Sequence, residues 1–259
     1  MKIAVCVKYV PDSSGPRTFS SDLTVDRSGD GMLSELDEYA VEEALRIRDE
    51  AGDVEVVIVT VGPDDARAAI TRALQMGADA GVHVVDDAIH GSDSVGTSLV
   101  LAKVLQQQAA DIVLCGMAST DGSMGVVPAM LAERLGLPQV TLASEVTIDG
   151  ATVRVRRDGD SAVEVVEASM PLVLSVTDQC NEPRYPSFKA IMAAKKKPVS
   201  TLGLADLAIS PDEVGLRAAW TRVVSYEERP ARTAGQIVTD EGGSGADQLV
   251  EFLSARRLI

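Results

Sequence analysis

Residues 54–85 read VEVVIVTVGPDDARAAITRALQMGADAGVHVV. An apolar run of strand length (54–62) stops at Gly62-Pro63. A helical pattern follows over 63–78, opened by a proline in its first turn, where the missing N–H wastes no donor. A second apolar run (81–85) closes the unit. Neither run alternates as a strand with one wet face would, so both read as strands buried on two faces. Strand, helix, strand in this order predicts a βαβ unit. The fold class is therefore α/β: an open, doubly wound, mostly parallel sheet.

The same pattern extends outward in both directions. IAVCVKYV (3–10) reads as a first strand, followed by a Ser/Asp/Gly-rich loop to about residue 33. SELDEYAVEEALRIRDEAG (34–52) reads as a helix, with Ser34 and Asp37 fitting a capping box and Gly52 a stop. SVGTSLVLAKVLQQQ (94–108) is a helix, DIVLCG (111–116) a strand, and GVVPAMLAERLGLP (125–138) a short helix ended by Gly136 and Pro138. After 138 the period changes to two. Residues 140–178, with turns at Asp149-Gly150 and Asp158-Gly159, predict antiparallel hairpins appended to the sheet. From 198 onward the chain is loop-rich, with one helix near 246–257. We therefore expect a nucleotide-binding α/β domain over 1–197 and a C-terminal arm over 198–259. An arm with so little apolar periodicity over 225–245 wraps another surface rather than folding alone.

Composition sets limits on function. The chain has 259 residues, 46% of them hydrophobic but only 3% aromatic, so the core is built from Val, Ala, Leu and Ile. Its formal net charge is −15, which argues against a nucleic-acid binder. Cys6, Cys115 and Cys180 are odd in number and far apart, which predicts reduced cytoplasmic thiols rather than disulfides. No spacing joins them to His83 or His90 as metal ligands. The N-terminal apolar run is too short for a membrane span and shows no cleavage site, so no membrane insertion is expected.

Ligands of doubly wound sheets sit beyond the carboxyl ends of the strands. The loops expected there are 9–34, 61–64, 86–93 and 116–124. GMASTDGSMG (116–125) leaves a strand, holds three glycines and enters a helix. Its amides suit a phosphate, and a tight turn needing φ > 0 explains the glycines equally well. Asp37 and Glu38 could read a ribose, but acids are favoured in first helical turns and that reading is preferred; His90 reads as a loop residue, and Trp220 tells little. No nucleophile elbow, zinc-protease motif, Walker loop or Rossmann glycine pattern appears, so no catalytic residue is named. Residues 181–197, NEPRYPSFKAIMAAKKK, are basic on an acidic chain. Pro183 and Pro186 bias their neighbours to extended shapes. Ser187 is a fair N-cap for a short helix whose Phe188, Ile191 and Met192 share one face. That face either packs on its own domain or forms an exposed anchor beside a positive patch.

NEPRYPSFKAIMAAKKK (181–197) also resembles the signature of the electron transfer flavoprotein beta subunit. CVKYVPD (6–12), DEYAVEEALRIRD (37–49), ALQMGAD (73–79) and RTAG (232–235) are similar to the same family, most of all its actinobacterial branch. The resemblance covers essentially the whole chain. It implies an electron carrier without substrate turnover, paired with an alpha subunit that binds most of one FAD. Electrons would come from acyl-CoA-type dehydrogenases of fatty acid oxidation and pass to a membrane quinone oxidoreductase. It implies a buried AMP at the strand ends. The contacts fall on Cys6, Ser34, Leu36, Asp37, Val61 and the loop Gly116, Asp121, Gly122, Ser123, Met124, Gly125, Val126 and Val127. It implies partner recognition by Arg184, Tyr185, Phe188, Ile191, Met192, Lys195, Lys196 and Lys197. Leu36 stands where many relatives have an aromatic. Ser123 and Met124 replace the Asp-Thr of bifurcating relatives, which favours AMP over a second FAD, and Phe188 replaces the anchor leucine.

Overall fold

The computed structural model describes residues 1–15, 17–228, 230, 235, 237–240 and 242–259. Residues 232–234 of the RTAG stretch lie outside them. By internal packing the chain divides into Met1–Val224 and Ser225–Ile259.

The first unit is the expected α/β sheet. In chain order its elements are β1 (Lys2–Cys6), β2 (Tyr9–Pro11), β3 (Gly31–Leu33), α1 (Glu35–Ala51), β4 (Glu55–Val61), α2 (Arg67–Met76), β5 (Ala80–Val84), α3 (Ser94–Gln108) and β6 (Ile112–Gly116). Then come α4 (Val127–Leu135), β7 (Gln139–Ala143), β8 (Glu145–Asp149), β9 (Thr152–Asp158), β10 (Val163–Ser169), β11 (Leu172–Val176), α5 (Phe188–Ala194), β12 (Val199–Leu202) and α6 (Gly215–Ala218). The second unit holds α7 (Gly245–Ala255). Seven parallel strands form the main sheet in the order β12-β5-β4-β1-β6-β11-β7.

Alternation along each strand splits the core in two. Ile3, Val5, Ile58, Leu114 and Leu174 face α1 and α2, meeting Ala40, Ala44, Leu45, Ile70 and Leu74. Ala4, Cys6, Val59, Cys115 and Val173 face α3 and α4, meeting Val100, Leu101, Val104 and Leu131. Both strand faces are dry, which is why the central strands needed near-continuous apolar runs.

Four expectations change. The strand over 3–10 breaks after Cys6, and Tyr9–Pro11 turns away to pair antiparallel with Gly31–Leu33. The helix over 63–78 opens with a 3-10 turn at Asp64–Ala66 before α2 begins. The hairpins expected over 140–178 are only β8-β9-β10; β7 and β11 instead join the main sheet. LVLSV (172–176) is buried at all five positions, so it is a core strand that local alternation disguised. β12 escaped the pattern because a four-residue edge strand with two exposed hydroxyl residues carries no apolar run. β12, Leu204, Leu207, Ile209 and Val214 pack within the first unit. No helix among the described residues is long and apolar enough to cross a membrane.

Candidate functional site

The carboxyl ends of β1, β4 and β6 lie side by side, bringing together Cys6, Val61 and Gly116. Cys6 and Cys115 are register neighbours on β1 and β6. Both thiols are free. Contact with Cys6, then burial, pushes the Cys115 thiol up. A side chain at Gly116 would stand 2.6 Å from Asp37 Oδ1 and 2.7 Å from the Leu36 carbonyl oxygen. Glycine therefore lets the N-terminus of α1 press onto the end of β6.

The capping box expected at Ser34 does not form. No side-chain cap is present. The Thr120 amide instead donates to Ser34 Oγ at 3.4 Å, tying α1 to the loop after β6. Asp37 turns inward and accepts from the Lys8 amide at 2.8 Å. It sits in the first turn of α1 as expected, and it is buried at 7% exposure. Glu38, also in the first turn, is half-buried and pairs with Arg72 at 2.8 Å.

Burial raises the Asp37 carboxyl to about 7, against the amides of Lys8 and Gly116 that favour its charged form. The folded chain therefore holds this proton more tightly than the unfolded chain does. The stability that follows is present at low pH and is lost as pH rises from the ordinary carboxylate range through about 7. Asp37→Asn should remove this slope, gaining on the order of 2 kcal/mol relative to wild type between about pH 5 and pH 8. Urea midpoints of both proteins at the two pH values check it; parallel pH profiles would sink it.

Asp121 anchors the glycine-rich loop. Its side chain is 2% exposed, with Lys8 Nζ at 2.7 Å and Arg27 Nη2 at 2.6 Å. Burial opposes ionisation here, yet the two cations hold this carboxyl well below the usual range. Beyond it, Gly122, Ser123, Met124 and Gly125 are exposed, and Val126 and Val127 half-buried. Ser123 (φ 54) and Gly125 (φ 65) are left-handed. The amides of Met124, Gly125 and Val126 have no hydrogen-bond partner among the described residues. Alternating left-handed residues with free amides just before α4 are the kind of backbone arrangement that suits an anion. Ser123 Oγ is already committed to the Ser119 carbonyl oxygen at 3.3 Å.

Sequence pattern missed Lys8, Arg27 and Ser119. Lys8 left a signal, a cation inside an apolar run at a strand end. Arg27, in a polar loop, left none.

The basic segment forms a second surface. Ser187 Oγ accepts from the Ala190 amide at 3.2 Å and starts α5, as expected. Tyr185 is 90% exposed, Phe188 80% and Met192 47%. Ile191 is half-buried. Arg184 and Lys197 point elsewhere. Arg184 donates to Glu42 at 2.8 and 2.9 Å and pairs with Asp49 at 2.9 Å. Lys197 Nζ donates to the carbonyls of Leu74, Gly77 and Ala78, closing the C-terminal end of α2. Lys195 and Lys196 remain exposed.

An open cleft of about 700 Å³ lies elsewhere, lined by Arg46, Glu50, Asp53, Glu145, Thr147 and Cys180 among others, and by none of the expected site residues. Its acids and its one committed arginine offer no nucleotide chemistry. Among the described residues no three His, Cys, Asp or Glu side chains group as a metal site.

Comparison with known proteins matches residues 22–207 to the electron transfer flavoprotein domain. The chain is 47% identical over 264 residues to the electron transfer flavoprotein subunit beta of Mycobacterium tuberculosis strain H37Rv, covering 99% of each chain. It is 46% identical to that of Mycobacterium leprae over 99% of each. It is 36% identical to that of Thermoanaerobacterium thermosaccharolyticum over 100% of each.

Proposed function

We propose, because this chain belongs to the electron transfer flavoprotein family as a beta subunit of the actinobacterial type, that it pairs with an alpha subunit to carry FAD at their shared interface and AMP in its own strand-end site. Members of this family move electrons and turn over no substrate of their own. The end-to-end similarity is the observation that carries the reading. On it, the heterodimer is cytoplasmic, takes electrons from acyl-CoA-type dehydrogenases and passes them to a membrane quinone oxidoreductase. The C-terminal arm over 198–259, of which Ser225–Ile259 packs as its own unit, embraces alpha.

The residues present suit AMP. Cys6 and Val61 offer an apolar slot between strand ends for the adenine. The free amides of Met124, Gly125 and Val126 offer donors for one phosphate without any side-chain hydroxyl. FAD supplies the redox chemistry when bound. Leu36, at the start of α1, gives that edge an aliphatic rather than an aromatic contact. A second reading places another FAD in the AMP site. Ser123 Oγ bound back to Ser119 and an exposed Met124 leave positions 123 and 124 without an acid or a free hydroxyl for it.

Denaturing the heterodimer co-expressed with its alpha subunit should release one FAD and one AMP. Two FAD and no AMP would establish the second reading instead. A colourless monomer that ignores alpha and binds nucleotide alone would overturn both.

A further inference from the structure

Residues 18–26 fold as a small hairpin at the carboxyl edge of the sheet. The Ser20 amide donates to the Thr24 carbonyl at 2.8 Å, the Asp26 amide donates to the Thr18 carbonyl at 3.0 Å, and Phe19 bridges Val25. The hairpin is tied down at both ends. At its tip, Asp22 Oδ2 meets His90 Nε2 at 2.7 Å. The Thr24 hydroxyl, then His90, hold the Asp22 carboxyl well below its usual range. At its base, Arg27 Nη2 meets Asp121 at 2.6 Å while Nη1 donates to the Tyr9 carbonyl at 3.0 Å.

The two anchors stand on different loops. His90 follows β5 and Asp121 follows β6. Between those strands in the sheet lie only β4 and β1. Their carboxyl ends carry Val61 and Cys6, the walls of the adenine slot. A hairpin pinned to both flanking loops must cross that slot.

We propose that residues 18–26 are the lid of the nucleotide site, latched by Arg27–Asp121 on one side and by Asp22–His90 on the other. The proposal rests on the AMP reading above. Arg27 is a positioning residue. The Asp121 carboxylate is buried, so losing Arg27 leaves it only Lys8 as a charged partner among the described residues. The His90 side chain is 60% exposed, so its latch is the weaker one and opening starts at the tip. A lid controls how fast nucleotide enters and leaves and changes its affinity little.

The test uses the heterodimer with its alpha subunit and follows exchange of bound AMP for isotopically labelled AMP. Arg27→Ala should speed exchange about tenfold or more, and His90→Ala a few-fold. Arg27→Lys should restore most of the slow exchange. Equilibrium affinity for AMP should change far less than the exchange rate, and FAD should stay at one per heterodimer. A merely structural weakening would lower the melting temperature without accelerating exchange well below it. Unchanged exchange in both alanine variants overturns the lid alone. So does an affinity loss that matches the gain in exchange, which would make Arg27 a phosphate ligand. If the unmodified complex carries FAD but releases no adenine nucleotide, the AMP reading fails, and the lid with it.

Discussion

Phe188→Ala should slow reduction of the heterodimer by a partner dehydrogenase about ten- to a hundredfold while leaving FAD content unchanged. Burying a phenylalanine side chain in a partner's pocket stabilises the encounter by roughly 1.5–3 kcal/mol, and each 1.4 kcal/mol is tenfold. The structure explains why this side chain is offered so openly. At one end of the segment, Asn181 Nδ2 donates to the Tyr39 carbonyl at 3.0 Å and Arg184 is forked onto Glu42. At the other end Lys197 is locked onto three carbonyls of the α2 terminus. Between them the Arg72 guanidinium lies 5.4 Å from the Tyr185 ring centre. A segment held this way is fixed before any partner arrives, so little ordering entropy would be lost on contact. The salt dependence of the step should fall when Lys195 and Lys196 are neutralised. Neutralising Lys197 should instead cost stability. Stopped-flow reduction at several ionic strengths measures both effects. Unchanged rates with every dehydrogenase tried would end the anchor role of Phe188.

The sequence made the sheet legible where burial on both faces forced unbroken apolar runs, as at 54–62 and 111–116. It concealed β11, whose run follows three genuine hairpin strands, and β12, a short edge strand with two exposed hydroxyl residues. The candidate site divides in the same way. The glycine loop stands out because Gly125 takes a left-handed φ and Gly116 leaves no room for a side chain. Arg27 does not, because its role depends on a loop returning across the strand ends to a carboxylate 94 residues on. The burial of Asp37 is hidden for a related reason. Its place in a first helical turn does not show that the fold lays β6 and its loop over it. The basic run at 195–197 looks uniform, yet two of its lysines face water and one closes a helix end. Long-range placement decided each of these, and local pattern does not encode it.

Glu43→Ala should destabilise the chain by about 3–5 kcal/mol, the typical cost of breaking a buried ion pair from one side. Glu43 lies on α1 and is fully buried. One carboxylate oxygen takes Arg46 Nη2 at 2.5 Å; the other takes Arg46 Nε at 3.0 Å and Asn181 Nδ2 at 3.2 Å. Arg46 would keep Glu50 and the Val146 carbonyl. Asn181 would keep only the Tyr39 carbonyl, and its Oδ1 is already buried without a partner among the described residues. The loss therefore falls on the root of the basic segment 181–197 as well as on α1. At this chain length the melting temperature should drop by roughly 6–15 °C. Glu43→Gln keeps the volume and an acceptor for Asn181, and should cost only about 1–2 kcal/mol. Cys180 gives an independent readout. Burial, and then the Glu43 carboxylate beside it, push this thiol up to about 12. Removing that charge in Glu43→Gln should lower the thiol toward its ordinary range and speed its alkylation at fixed pH, while burial keeps it from becoming fully reactive. A Glu43→Ala protein that melts within a degree or two of wild type, or unchanged Cys180 alkylation in Glu43→Gln, would show that the carboxylate is better solvated than its geometry implies. The basic segment would then owe its fixed shape to its other anchors, the Tyr39 carbonyl, Glu42, Asp49 and the Lys197 bonds.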